Sequence, residues 1–191
     1  MELTKEQKII ITLFKGRLEF YNSRSISKIV EISHPGAFKI LKRLEKKSIV
    51  KSRRIGKAII FSLNFENPMA KNLIENALIT ESQEHKRWVE EFKEIEEMSL
   101  FIILFGSVIK NENFAKDIDL LVIFEKNNQS TIQRIINEKN KISNKKIHLI
   151  LQTKDDFLND LHKNNPVILE IIKTGIVLFG QDKFIKIMKN E

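Results

Sequence analysis

The first third of the chain carries apolar residues at helical spacing in three segments. The first predicted helix covers residues 4–14, with Thr4 as its N-cap and Gln7 completing a capping box. A short second helix opens at Ser23–Ser27, and a third begins at Ser33, followed by Pro35 in its first turn. The residues of the second helix expected to face the interior are Ile26, Ile29 and Val30.

Two β-rich runs follow, residues 49–54 and 58–63, with Gly56 between them. They predict a hairpin with a basic tip. Three helices followed by a hairpin is the order of a winged helix-turn-helix. Residues 1–64 resemble the winged-helix domains of bacterial and archaeal transcription regulators.

This resemblance implies that the third helix enters the major groove of duplex DNA and that the hairpin lies on phosphates. The residues assigned to DNA contacts are His34, Gly36, Lys39, Lys42, Arg43, Arg53, Arg54 and Lys57.

The charge of the chain is concentrated in this region. Residues 1–65 hold 15 Lys and Arg against 5 Asp and Glu, a net charge of +10, whereas residues 66–191 hold 18 against 20, a net charge of −2. Such asymmetry favours a polyanion-binding module joined to one that does not bind polyanions. The alternative is that the basic residues only form the solvent-exposed surface of a small helical domain.

Residues 66–98 are mostly charged, with apolar residues at helical spacing, and begin at Asn67-Pro68. We predict a helical linker, broken near Thr80, where Gln83 would complete a second capping box. Its apolar stripe could pack on its own domain or form a homodimer.

Residues 99–191 alternate strand and helix patterns. The apolar runs 100–105 and 120–124 predict strands, and residues 145–152 and 176–179 predict two more. The helices are expected at residues 129–142, 154–162, 166–174 and 181–190, with Gly175 as a C-cap. This part of the chain is therefore a mixed α/β unit with a small sheet.

A polar loop between the first two of these strands holds the candidate chemistry. Asp117 and Asp119 are two residues apart in extended chain, so their carboxylates project side by side while Ile118 points into the core. Paired oxygen ligands suit Mg²⁺. Gly106 and Ser107 could hold a phosphate at the start of a short helix. The alternative is a pair of inert, solvent-facing acidic residues.

The Gly106-Ser107 pair, followed by Asp117-Ile118-Asp119 and an apolar strand, resembles the signature of the DNA-polymerase-β-like nucleotidyltransferases, in particular the minimal ones. Residues 166–180 are similar to the closing segment of archaeal proteins that fuse a winged helix to such a domain. The fold implied is mixed α+β: an N-terminal winged helix-turn-helix and a C-terminal small-sheet α/β nucleotidyltransferase-like domain. The expected domains are residues 1–65, a linker at 66–98, and 99–191.

The resemblance implies transfer of a nucleotidyl group from a nucleoside triphosphate to a hydroxyl, with Mg²⁺ bound by Asp117 and Asp119 and the triphosphate bound by Gly106 and Ser107. Active members usually add a third carboxylate from a neighbouring strand, where this chain has His148. His148 could act as a base, bind a softer metal, or be a structural strand histidine.

The chain contains no cysteine and no apolar run long enough to cross a bilayer, so we expect a cytoplasmic protein without disulfides. The leading hypothesis is a DNA-binding transcription regulator whose second domain binds nucleotide and magnesium. The alternatives are an active, antitoxin-like adenylyltransferase that acts on a protein or RNA hydroxyl, and a structural adaptor.

Overall fold

The computed structural model describes residues 2–16, 18–125 and 127–190. The chain divides into two compact units, Met1–Thr80 and Glu81–Glu191. The division falls inside a helix of the predicted linker. Among the described residues, no helix is both long and apolar enough to cross a membrane.

The first unit contains three helices and a three-stranded sheet, followed by the start of a fourth helix. The elements are α1 (Lys5–Lys15), β1 (Tyr21–Asn22), α2 (Ser23–Ile29), α3 (His34–Lys46), β2 (Val50–Ile55), β3 (Ala58–Leu63) and α4 (Pro68–Glu84). The sheet order is β1-β3-β2, with all strands antiparallel. This arrangement is a winged helix-turn-helix, as predicted.

The caps of α1 and α3 form as predicted. The Gln7 N–H donates to the Thr4 hydroxyl, and the Gln7 side chain accepts from the Thr4 N–H. The Ser33 hydroxyl accepts from the Gly36 N–H at 3.2 Å. These bonds satisfy N–H groups that a helix leaves free in its first turn.

Two predictions for the first unit are wrong. Ile29 does not face the interior, because its side chain is 53% exposed at the end of α2. Thr80 does not cap a helix, because it lies inside α4, where its hydroxyl donates to the Asn76 carbonyl and accepts from the Gln7 amide. The break in the helical segment instead comes at His85.

The second unit is built around a four-stranded sheet in the order β6-β5-β4-β7. β5 and β6 are parallel, and the other neighbours are antiparallel. After α4 its elements are α5 (Lys86–Glu91), β4 (Ser99–Phe105), α6 (Ser107–Lys110), β5 (Asp117–Phe124), α7 (Gln129–Ile142), β6 (Lys146–Thr153), α8 (Lys154–His162), α9 (Pro166–Thr174), β7 (Ile176–Phe179) and α10 (Gln181–Asn190). A turn of 3₁₀-helix covers Lys93–Ile95.

Both faces of this sheet are covered by helices. On one face, Trp88 of α5 and Ile132 of α7 join a core with alternate residues of β4 and β5. On the other face, the Phe101 ring of β4 lies 5.2 Å from the Phe157 ring of α8 and 5.2 Å from the Phe184 ring of α10. The central strands are therefore rigid supports for the residues at their ends.

Candidate functional site

Asp117 and Asp119 lie at the beginning of β5, on the same face of the sheet. β5 starts three residues before the apolar run, because its parallel pairing with β6 begins at Asp117 and Lys146. Ile118 between them is only 3% exposed and belongs to the core on the opposite face. The two side chains are 35% and 22% exposed, so they are accessible to a ligand.

His148 lies beside both aspartates. It is paired with Asp119 across the parallel strands β5 and β6, which places its ring on the same sheet face. Its Nδ1 atom lies 3.4 Å from Asp119 Oδ1 and 3.6 Å from Asp117 Oδ2. One ligand atom from each of the three residues lies within 4.8 Å of the others, so the group could hold a metal ion.

The carboxylates of this group are in an environment that favours a positive charge. Burial raises the pKa of the Asp119 carboxyl, and the Asp117 carboxylate raises it further, whereas His148 lowers it. A cation bound between the two carboxylates would offset both the burial and the repulsion.

Gly106 joins β4 to α6 and lies directly against Asp119. Its φ of +81° is in the left-handed region, and a Cβ at this position would overlap the Asp119 carboxylate. Ser107, the first residue of α6, is exposed at the same edge of the sheet. The structure therefore brings Gly106, Asp117, Asp119 and His148 together, with Ser107 at the same edge of the sheet. The sequence alone leaves open whether His148 faces the two aspartates.

Two residues that support this site were not predicted. The Lys145 ammonium donates to the Ala115 carbonyl at 2.6 Å and to the Glu112 carbonyl, which anchors the loop leading into Asp117. The Asn140 side chain accepts from the Ile147 N–H at 2.7 Å and donates to the Ile147 carbonyl at 3.1 Å. Neither role has a signal in the sequence, because each bond depends on how separate segments pack on the sheet.

In the first unit, α3 presents lysines on the side opposite its buried stripe. Ala37, Leu41 and Leu44 are fully buried, whereas Lys39, Lys42 and Lys46 are exposed. The Lys42 ammonium pairs with the Glu45 carboxylate at 2.7 Å. It also lies 5.8 Å from the centre of the exposed Phe38 ring.

Besides Lys42, three of the residues assigned to DNA contacts have polar partners within the first unit. The His34 Nε2 atom lies 2.8 Å from the Ser23 hydroxyl, the Gly36 N–H donates to the Ser33 hydroxyl, and the Arg43 guanidinium pairs with Glu6 of α1. The bonds of His34 and Arg43 join α3 to its neighbours in the unit. Their contribution to DNA binding remains a prediction.

The basic residues of the hairpin are exposed but do not share one face. Arg53 and Arg54 are consecutive in β2, so their side chains point to opposite faces of the sheet. The Arg53 guanidinium lies 5.3 Å from the centre of the Phe20 ring. Arg54 lies on the same face as Ser52, whose hydroxyl donates to Glu45 of α3, and Lys57 lies at the tip.

Comparison with known proteins assigns the second unit to a protein family. The family model described as polymerase beta, nucleotidyltransferase matches residues 86–184, which is more than half of the chain. The protein therefore belongs to this nucleotidyltransferase family. No curated protein sequence matches the chain significantly.

Solved structures that the chain partly resembles include a transcription regulator. MepR of Staphylococcus aureus, a regulator of the multidrug efflux pump MepA, is 13% identical over 72% of this chain and 80% of its own, with a TM-score of 0.38. A ZitR mutant of Lactococcus lactis is 17% identical over 74% and 75%, with a TM-score of 0.34. AF1382 of Archaeoglobus fulgidus is 19% identical over 46% and 87%, with a TM-score of 0.33. Because these TM-scores are low, no conclusion about function rests on them.

Proposed function

We propose that this protein is a cytoplasmic DNA-binding transcription regulator whose nucleotidyltransferase domain binds a nucleoside triphosphate and Mg²⁺. This organisation is the one that the resemblance to archaeal-type winged-helix regulators implies. The observation that carries the DNA-binding part is the set of exposed lysines along one side of α3, next to a basic hairpin.

The geometry of α3 suits a recognition helix. Its buried stripe fixes which side faces outward, and Lys39, Lys42 and Lys46 follow that outer side at intervals of three and four residues. Ammonium groups so spaced can contact phosphates and base edges along a major groove. The exposed Phe38 ring adds an apolar group that can contact thymine methyl groups. Arg54 and Lys57 of the hairpin supply further phosphate contacts.

Duplex binding by the full chain tests this part. A binding sequence selected from random duplexes would be titrated by fluorescence anisotropy at several salt concentrations. Replacing Lys39 and Lys42 by Ala should weaken binding at least about tenfold and flatten the slope of log K against log salt by about 2, since each lost phosphate contact removes about 0.9. Replacing Arg43 alone should weaken binding less, because it removes one charge instead of two and Glu6 already pairs with its guanidinium.

The matched control removes Lys5 and Lys71, two exposed lysines on α1 and α4. It takes the same charge from the same unit but leaves α3 intact. Equal losses in the two double variants would show that only net charge matters, and would contradict the assignment of α3 as the recognition helix.

The nucleotide-binding part is supported by family membership together with the group formed by Asp117, Asp119 and His148. Mg²⁺, when bound, would stabilise the negative charge of a triphosphate at this edge of the sheet. Asp117 and Asp119 would hold it, and Gly106 and Ser107 would lie against the phosphates. The raised pKa of Asp119 is consistent with a site that a cation completes.

A second candidate function, transfer of the nucleotidyl group to a protein or RNA hydroxyl, is favoured by the position of His148. Its ring contacts both carboxylates at the place where active members have a third carboxylate. An imidazole at that position can take the proton of an acceptor hydroxyl, so the departure from the family pattern does not by itself abolish the chemistry.

Incubation with labelled ATP, Mg²⁺ and a cell extract separates the two candidates. Label transferred by the wild type but lost on replacing Asp117 and Asp119 by Asn, and kept on replacing the exposed Asp182 of α10, would establish a transferase. Binding of ATP without transfer would support the regulator alone. Absence of ATP binding in the presence of either Mg²⁺ or Mn²⁺ would contradict the nucleotide-binding part.

A further inference from the structure

The three ligating groups of the site are not all oxygen groups, the type of ligand that Mg²⁺ prefers. Asp117 and Asp119 each offer a carboxylate oxygen, but the third group is the imidazole nitrogen of His148. Mg²⁺ binds oxygen ligands and gives up its water molecules reluctantly. Imidazole nitrogen instead suits first-row transition metals such as Mn²⁺, Co²⁺ and Zn²⁺.

The distances from His148 to the two carboxylates are close to those between ligands on one small ion. Ligand atoms bound at about 2.1 Å to one tetrahedral or octahedral centre lie about 3.0–3.4 Å apart. The His148 Nδ1 atom is 3.4 Å from Asp119 Oδ1 and 3.6 Å from Asp117 Oδ2. One ligand atom from each of the three residues lies within 4.8 Å of the others, so adjustment of the side-chain rotamers could bring all three onto one ion.

The backbone that carries His148 is held firmly. Ile147, the preceding residue, is bound through both its N–H and its carbonyl to the Asn140 side chain of α7. The pairing of β5 with β6 extends without a break from Asp117 to Phe124. The ligand set is therefore supplied by two paired strands rather than by a flexible loop, as a selective metal site needs.

We propose that Asp117, Asp119 and His148 form a mixed nitrogen–oxygen site that binds a transition-metal dication in preference to Mg²⁺, with His148 as the residue that sets the preference. The inference rests on the metal-binding part of the proposed function and specifies which class of ion the site selects. Mg²⁺ would then bind at this site, next to the triphosphate, more weakly than a transition-metal dication does.

The competing account is that the positively charged ring of His148 takes the place of a metal ion beside the two carboxylates. A positively charged imidazole beside two carboxylates would offset one of their two negative charges and occupy the place of a metal ion. This account makes the opposite prediction for the variant without the ring: removal of His148 would expose the two carboxylates and create a site for Mg²⁺.

Direct metal titration of the full chain distinguishes these accounts without any measure of catalysis. Co²⁺ binding would be followed by visible absorption and calorimetry, because the d–d spectrum reports nitrogen ligation, and Mg²⁺ binding by calorimetry. The variants are His148→Asp, His148→Ala and the pair Asp117→Asn with Asp119→Asn. The control is His162→Ala, which removes an exposed histidine of α8.

The wild type and the His162 variant should bind Co²⁺ at least about tenfold more tightly than Mg²⁺. His148→Asp should restore an oxygen-only set, bind Mg²⁺ more tightly and lower the ratio of Co²⁺ to Mg²⁺ affinity at least about tenfold. The aspartate pair variant should bind neither ion. Thermal melting of each variant checks that it is folded.

An unchanged affinity ratio in His148→Asp, or tighter Mg²⁺ binding in His148→Ala, would overturn the proposal. If the ratio is unchanged in His148→Asp but Mg²⁺ still binds, the proposed function stands and only the metal preference is wrong. Failure of the wild type to bind either ion would remove the metal-binding part of the proposed function as well. Duplex binding, measured on the same samples, shows whether the DNA-binding part stands independently.

Discussion

Gly106 shows how a residue without a side chain can determine the position of a carboxylate. The backbone at Gly106 has a φ of +81°, and the space where its Cβ would lie is filled by the Asp119 carboxylate. Gly56 at the tip of the hairpin also has a positive φ, of +56°, but nothing lies within 4 Å of its Cβ position. Substitution of Gly56 therefore introduces only backbone strain, whereas substitution of Gly106 introduces the same strain and also displaces the Asp119 carboxylate.

Gly106→Ala should reduce divalent-cation affinity at least about tenfold, because the methyl group forces Asp119 away from Asp117 and His148. Gly56→Ala should cost only the backbone strain, about 1 kcal/mol, and leave cation binding unchanged. Calorimetric titration and chemical denaturation of both variants make the comparison. Equal cation affinity in the two variants would show that the contact with Asp119 is unimportant.

Asp119 is a residue whose charge destabilises the fold in the absence of a ligand. Its pKa is raised above the ordinary value of 3.8, first by burial and then by Asp117. The folded protein therefore holds this proton more tightly than the unfolded chain does. The favourable contribution is present below pH 3.8 and is lost as the pH rises through the raised pKa.

Asp119→Asn should thus stabilise the metal-free protein near pH 7 by about 0.5–1 kcal/mol, allowing for partial exposure of the carboxylate. Urea denaturation in the presence of a chelator measures the difference. The gain should shrink as the pH falls through the raised pKa of Asp119, because the wild-type carboxyl then becomes protonated in the folded state. A variant that is less stable at neutral pH would mean that the pairing with His148 outweighs burial and repulsion.

Strand β6 lies at the edge of its sheet and yet carries a residue of the site. It pairs with β5 on one side only, and the other side of Ile147 is bound by the Asn140 side chain. An amide that replaces a missing strand in this way satisfies two backbone groups at once. The position of His148 therefore depends on a residue of α7.

Asn140→Ala should lower stability by about 1–2 kcal/mol and weaken cation binding, since both Ile147 groups lose their partner next to His148. Asn137→Ala on the same helix is the matched control, because that side chain is exposed and accepts a bond from Gln133 of the same helix. Denaturation and metal titration of both variants test the idea. It fails if both variants bind cations as the wild type does.

The chain as a whole combines a basic winged helix with a nucleotidyltransferase unit that carries no basic excess. Each of the two compact units holds one of the proposed sites complete. Binding to duplex DNA should therefore not require the aspartates of the second unit.

Replacement of Asp117 and Asp119 by Asn should leave duplex affinity within about twofold of the wild type while it abolishes cation binding. Anisotropy titration without nucleotide and without divalent cation measures the first effect, and calorimetry the second. A larger change in duplex affinity would demonstrate coupling between the two units, and repetition with ATP and Mg²⁺ would show whether the ligand regulates DNA binding.

Much of this architecture could be predicted because its signals are local. The caps at Thr4 and Ser33 are closed by bonds that span three residues, and the helical periods around them identify the buried stripes. The alternation at Asp117, Ile118 and Asp119 is equally local, so the paired carboxylates were predictable. Charge counting alone separates the basic first third from the remainder.

Predictions failed where a distant segment decides the structure. Thr80 and Gln83 match a capping box, yet the helix continues through them, and Gln7 of α1 bonds to the Thr80 hydroxyl. Strand β1, only two residues long, has no periodicity of its own and exists through its pairing with β3. The error at Ile29 has a local cause instead. Ile29 matches the apolar stripe of α2, but it is the last residue of this seven-residue helix and its side chain is exposed.

The amino-acid sequence thus establishes two modules, their order, the capped helices and the carboxylate pair, because each follows from contacts within a few residues. Only the tertiary structure decides that His148 faces Asp117 and Asp119 and that Lys145 and Asn140 hold the neighbouring loop and strand. The reason is that β5 and β6 are joined through α7, so their register depends on how that helix packs on the sheet. A shift of one residue in this register would turn His148 to the opposite face.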